Sequence, residues 1–123
     1  MQIRSFPRPD WSPLPSSDAV NIDGKVYLLN KTAVVATLRF SANASFEAHA
    51  ADWDVYVMCL EGKGHTLVGT QTSAIEAGHS VLWPRGEMHQ LWTEQSTMTT
   101  LMLELIYQNP PPDRPPRPAE DSS

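Results

Sequence analysis

Short apolar runs, each ended by turn residues, fill the middle of the chain. Lys25–Leu29 and Thr32–Phe40 are rich in β-branched and aromatic residues, a composition that suits a pleated, half-buried strand. Ser45–His49 sets polar groups at alternate positions, and Asp54–Leu60 is the most hydrophobic run. Glu61-Gly62-Lys63-Gly64 is expected to close that run as a turn. His65–Val68 and Thr72–Ile75 flank Gly69-Thr70-Gln71, a hairpin signal. Ser80–Trp83 is stopped by Pro84 and Gly86, and His89–Thr93 and Met98–Tyr107 complete the series. The Met, Leu and Glu of the last run also suit a helix, but it lacks a cap and follows regular short strands, so it reads as strand. Closely spaced turns without a long amphipathic helix predict an all-β antiparallel sandwich or barrel. No internal repeat appears, so one barrel is expected.

Composition changes this picture mainly at the ends. The chain has 123 residues, the size of one domain. Of its 11 prolines, Pro84 alone lies in the middle. Proline cannot donate to a sheet ladder, so both ends look like poor strand material. The expected organisation is an N-terminal arm over 1–24, a barrel over 25–107 and a disordered proline-rich tail over 108–123. The single cysteine, Cys59, excludes an intramolecular disulfide and sits in an apolar run, as an inert core thiol would. The net charge of −5 argues against nucleic acid or an anionic membrane as partner. With no secretory pattern at the start and no membrane-length apolar run, a cytoplasmic protein is expected.

The segment Gly78-His-Ser-Val-Leu-Trp-Pro84-Arg-Gly86-Glu-Met-His89 leads a glycine turn into a strand, then a tight turn, then a histidine at the start of the next strand. Gly78, Pro84, Gly86 and His89 match the second motif of the cupins, G-x5-P-x-G-x2-H-x3-N; Thr93 stands where that pattern has asparagine. On these residues the chain resembles a small single-domain cupin over roughly 25–107. The resemblance implies the double-stranded β-helix, or jelly-roll barrel.

The first cupin motif, G-x5-H-x-H-x3–4-E-x6-G, is altered. Glu47 replaces its first histidine, Asp54 its glutamate and Ser41 its leading glycine, while His49 and the closing Gly62 remain. The stretch also resembles a subgroup of small cupins, with His49, Asp54, Leu60, Glu61 and Gly62 in matching places and Asp52 and Met58 departing. In that subgroup the aspartate belongs to the motif.

Residues two apart on a strand share a face, so Glu47 and His49 are expected on one face and His89 and Leu91 on another. If both faces look inward, Glu47, His49 and His89 converge, and Asp54 joins them if its longer spacing to Gly62 is absorbed by a bulge. Two imidazoles and one or two carboxylates suit a divalent metal ion, Fe, Mn, Zn or Ni. A metal-free polar pocket is the other reading of the same residues. Tyr56, Met58, Leu91 and Trp53 are the candidate ligand-binding residues, with a purely structural role open for each. His65 and His79 fall at turns, and Trp83 and Trp92 read as core or interface residues.

Two functions are weighed. The first is a metal-dependent enzyme, a dioxygenase, isomerase or lyase, acting on a small organic acid or phenolic compound in the barrel cavity. There Glu47, if free of the metal, is the candidate general base. The second is a metal-free module that binds or senses a small molecule. A homodimer is expected in either case, because sheet edges of small barrels are often covered by a second copy. The arm from Phe6 to Leu14, with Trp11, can reach across such a dimer or pack back on its own barrel.

Overall fold

The computed structural model describes residues 1–106. Tyr107 and the proline-rich segment 108–123 lie outside the described residues. Eight strands follow one another: β1 (Arg8–Pro13), β2 (Ala19–Leu29), β3 (Val34–His49), β4 (Val55–Val68), β5 (Gln71–Glu76), β6 (Ser80–Trp83), β7 (His89–Trp92) and β8 (Met98–Glu104). No helix among the described residues is long and apolar enough to cross a membrane.

The two long strands build the barrel. The first half of β3 pairs with β8, from Val34↔Glu104 to Phe40↔Met98, and its second half pairs with β7, from Ser45↔Trp92 to His49↔His89. β4 does the same on the other side, with β8 from Val55↔Glu104 to Gly62↔Met98 and with β7 from His65↔Trp92 to Val68↔His89. The ring β3–β8–β4–β7 is therefore closed, as the jelly-roll reading requires. β2 and β1 extend it outside β3, and β5 and β6 outside β4. Alternation then sorts the side chains. Leu38, Phe40, Val55, Val57, Cys59, Leu91, Met98 and Met102 fill the interior together with Trp83.

The spacing of the apolar runs predicts breaks at Ser41–Ala44 and at Glu61–Gly64. The strands bend there instead of ending. Asn43 turns β3 with φ 55°, and Gly62 turns β4 with φ 76°. Both bends are held by hydrogen bonds, the one at Gly62 by the Lys63 N–H donating to the Thr97 carbonyl at 3.2 Å. The Thr93 hydroxyl accepts from the Ala44 N–H (3.0 Å) and donates to the Ser41 carbonyl (2.6 Å), while the Thr93 N–H donates to the Ala44 carbonyl (2.9 Å). The threonine that replaces the motif's asparagine thus fastens the bend in β3.

The N-terminal segment departs from its reading as an arm. Residues 8–13 form an edge strand on β2, with Arg8 opposite Val26 and Pro13 opposite Asp23. Its prolines are tolerated because an edge strand needs donors on one side only. Residues 19–24 belong to β2 and also join the sheet. Trp11 packs on its own barrel, with Lys25 at 4.8 Å and Arg39 at 4.3 Å from its ring, and Phe6 meets Tyr27 edge to face at 5.0 Å.

Two substitutions test these bends. Thr93→Val removes the hydroxyl from two buried backbone groups and is expected to cost about 2 kcal/mol in chemical denaturation. A Cβ on Gly62 would lie 2.0 Å from the Thr97 carbonyl oxygen, whereas one on Gly78 meets nothing within 4 Å. Gly62→Ala is therefore expected to lose about 3 kcal/mol or more, and Gly78→Ala only about 1–2 kcal/mol for its positive φ. Equal losses at the two glycines would contradict a bend set by close approach.

Candidate functional site

A bulge in β3 decides what reaches the interior. Between the pairs Phe46↔Leu91 and His49↔His89 the register shifts, with three steps along β3 against two along β7. The extra residue breaks strict alternation. Glu47 is consequently exposed, and its carboxylate accepts a hydrogen bond from the Ser45 hydroxyl at 2.7 Å. His49 instead turns toward His89, their rings 4.3 Å apart at 75°. Strict alternation predicts Glu47 beside both histidines; the structure brings together only the two imidazoles.

His89 is 1% exposed and stacks on Trp83 at 4.0 Å with an interplanar angle of 9°. Trp83 is itself fixed by its indole N–H, which donates to the Thr66 hydroxyl at 3.0 Å. His49 Nδ1 lies 2.7 Å from the Glu47 carbonyl oxygen, which orients its ring. His89 Nδ1 is buried and has no hydrogen-bond partner among the described residues. Burial first, and the neighbouring His49 second, push the His89 pKa down to about 4, against a smaller opposing pull from the Glu87 carbonyl. His89 is therefore a neutral imidazole near pH 7.

Asp54 is 2% exposed, and its Oδ1 accepts the Arg85 N–H at 2.9 Å. This bond secures the turn that carries Pro84 and Gly86. Among the described residues no group of three or more His, Cys, Asp or Glu side chains is placed to hold a metal ion. Of the expected ligands, His49 and His89 adjoin, Glu47 lies at the surface and Asp54 is engaged by the turn. The four do not form a shared metal shell.

The expected ligand-binding residues also separate. Along β4, Val55, Val57 and Cys59 are buried while Tyr56 and Met58 are half-exposed, so Tyr56 and Met58 lie on the outer face. Leu91 is fully buried beside the histidine pair. Trp53 packs against the core, and its indole N–H donates to Glu104 Oε1 at 2.9 Å. Cys59 is buried, and burial raises its thiol pKa, in keeping with an unreactive core position. His65 stacks on Trp92 at 5.6 Å with Glu94 within 3.5 Å, and His79 is exposed.

A half-open cavity lies elsewhere than the motif residues suggested. A cavity of about 320 Å³ sits between the start of the chain and the sheet of β2, β3 and β8. Leu14, Val26, Ala36, Leu38, Phe46 and Met102 make its wall mostly apolar, and Arg8 and Glu104 are its charged residues. Phe46 belongs both to this wall and to the histidine cluster, its ring 4.8 Å from that of His49. The sequence holds one signal for this site: Glu104 continues the inward series Met98, Thr100, Met102, where a carboxylate is out of place. Nothing comparable marks Arg8. A larger, open depression of about 660 Å³ is lined by Lys63, Glu76, Gln95 and neighbours, and none of the expected site residues borders it.

The state of His89 has a consequence for stability. Its imidazole takes a proton near pH 6.5 when unfolded but only near pH 4 when folded. Between these values the unfolded chain binds more protons, so the contribution is present above pH 6.5 and is lost as pH falls toward 4. The full loss is expected to be about 3 kcal/mol. Chelator-treated protein should show this decline in its unfolding free energy, and His89→Phe should flatten it. A pH dependence identical in the two proteins would contradict a buried neutral imidazole.

No family model matches the chain, and no curated protein matches it. Solved structures do. The polyketide cyclase RemF of Streptomyces resistomycificus superposes with a TM-score of 0.74 at 20% identity, over 90% of this chain and 82% of its own. A cupin-like protein of Thermotoga maritima gives 0.72 at 16% identity, over 89% and 86%. KdgF of a Halomonas species gives 0.69 at 14% identity, over 78% and 86%. At these identities the likeness is one of fold, and it agrees with the closed ring of β3, β8, β4 and β7: in fold, this chain is a small barrel of the cupin type.

Proposed function

We propose that this barrel binds a compact, largely apolar organic acid or phenol in the cavity beneath β1. The observation that carries this reading is the cavity itself: about 320 Å³, a mostly apolar wall and two charged side chains. That is the size and character of a small-molecule site, in which apolar surface supplies affinity and a few polar groups fix orientation. RemF, a polyketide cyclase, is an enzyme on a similar barrel. It supports the idea that such a barrel houses organic ligands, without carrying its activity to this chain.

A second reading, an enzyme, is favoured by His89. A buried imidazole nitrogen without a partner is costly unless a ligand or substrate group meets it. A neutral imidazole beside a second one can accept a hydrogen bond or a proton from a bound molecule while the other donates. Isomerase or lyase chemistry fits such a pair. Phe46 is the residue through which a ligand in the cavity touches the histidine cluster. Among the described residues the expected metal ion finds two imidazoles here and no third His, Cys, Asp or Glu side chain, so no step is routed through it.

Metal analysis tests the metal-free site that both readings share, and turnover separates the two. Purified protein is expected to carry less than about a tenth of an equivalent of any transition metal, with its unfolding temperature unchanged by chelator. One equivalent of metal that disappears in both His49→Ala and His89→Ala would restore the metal-dependent reading. Turnover of a bound acid or phenol that is lost in His89→Ala while binding persists would establish the enzyme over the binding module.

A further inference from the structure

Arg8 occupies an unusual position for a cation in this chain. It is partly buried, it borders the cavity, and it stands on β1, in the segment expected to be a loose arm. Its guanidinium donates to the Ser12 hydroxyl and to the Pro13 carbonyl at 3.1 Å, both on the same strand. These bonds fix its direction without neutralising its charge. The chain has 14 acidic residues, yet among the described residues the ion pairs are Arg39–Asp23 and His65–Glu94, and Arg8 is in neither. Glu104 borders the same cavity and is held by the Trp53 indole N–H, not by Arg8. Two opposite charges therefore share one largely apolar wall without pairing.

We infer that Arg8 is a specificity-determining residue that selects a carboxylate-bearing ligand, whose apolar body lies against Leu38, Phe46 and Met102 and whose hydroxyl group meets Glu104. This rests on the proposed ligand cavity. A guanidinium fork matches a carboxylate in geometry as well as charge, and a partly desolvated site strengthens that match. The Glu104 carboxylate accepts hydrogen bonds, and Trp53 supplies one of them. A ligand hydroxyl is the complementary second donor.

The probes are 2-naphthoate, its uncharged counterpart 2-naphthamide, and 6-hydroxy-2-naphthoate, titrated by calorimetry into the full chain. The acid is expected to bind about tenfold more tightly than the amide, and the hydroxy acid more tightly still. Arg8→Gln should bring the acid-to-amide ratio to about one, whereas Lys31→Gln, the same charge change on an exposed residue, should preserve the ratio. Ala36→Leu, which fills the cavity, should abolish binding of all three probes. If acid and amide bind wild type alike, and both are lost in Ala36→Leu, the cavity stands and the role of Arg8 is overturned, whether or not Arg8→Gln folds. If no probe binds, or binding survives Ala36→Leu, the cavity reading fails and the role of Arg8 with it.

Discussion

Closure of the ring is the constraint on which the rest depends. A sheet edge inside a small barrel would leave backbone donors and acceptors unpaired, at a cost of a kcal/mol or more each, on the order of a tenth of a domain's net stability. β3 and β4 avoid this by serving two partners each, β8 with their first halves and β7 with their second. Each must bend sharply between the two. Asn43 and Gly62 supply the positive φ, and Thr93 and the Thr97 carbonyl hold the bent backbone in place. The core packing, the histidine pair and the cavity all take their positions from these two bends.

Within that frame a single extra residue governs the candidate chemistry. The bulge between Phe46 and His49 turns one imidazole inward and leaves Glu47 in solvent. Trp83, locked by Thr66, supplies the flat wall against which His89 is stacked. The outcome is a pair of imidazoles, His89 buried and His49 half-buried, in place of a set of mixed oxygen and nitrogen ligands. The cavity lies toward β1, where apolar residues of three strands meet two charges that do not neutralise one another. The cavity wall and the histidine pair are thus neighbours that share Phe46.

Much of this was legible in the chain. The turn spacing gave the strand class, and Gly78, Pro84, Gly86 and His89 identified the motif because each has a backbone or positional duty that few residues can perform. Seven of the eight strands contain apolar or alternating runs. β1 does not, because prolines argue against a strand unless one edge is free, and freedom of an edge is a property of the sheet. The bends were read as breaks because Gly62 and Asn43 are turn residues locally; only pairing with β8 and β7 makes the strands continue through them. Cys59 was legible as core because it lies in phase with Val55 and Val57.

The sequence by itself determined the all-β barrel, the two histidines and the apolar strands, since these follow from local composition and fixed spacing. Tertiary structure alone decided which side chains meet. Alternation predicts faces only while register is unbroken, so the bulge in β3 could not be read from the letters around Glu47. The phase of β4, which puts Val55 and Val57 inside and Tyr56 and Met58 outside, was likewise set by pairing with β8 and β6. Arg8 and Glu104 are nearly a hundred residues apart, and only the docking of β1 beside β2 puts them on one wall.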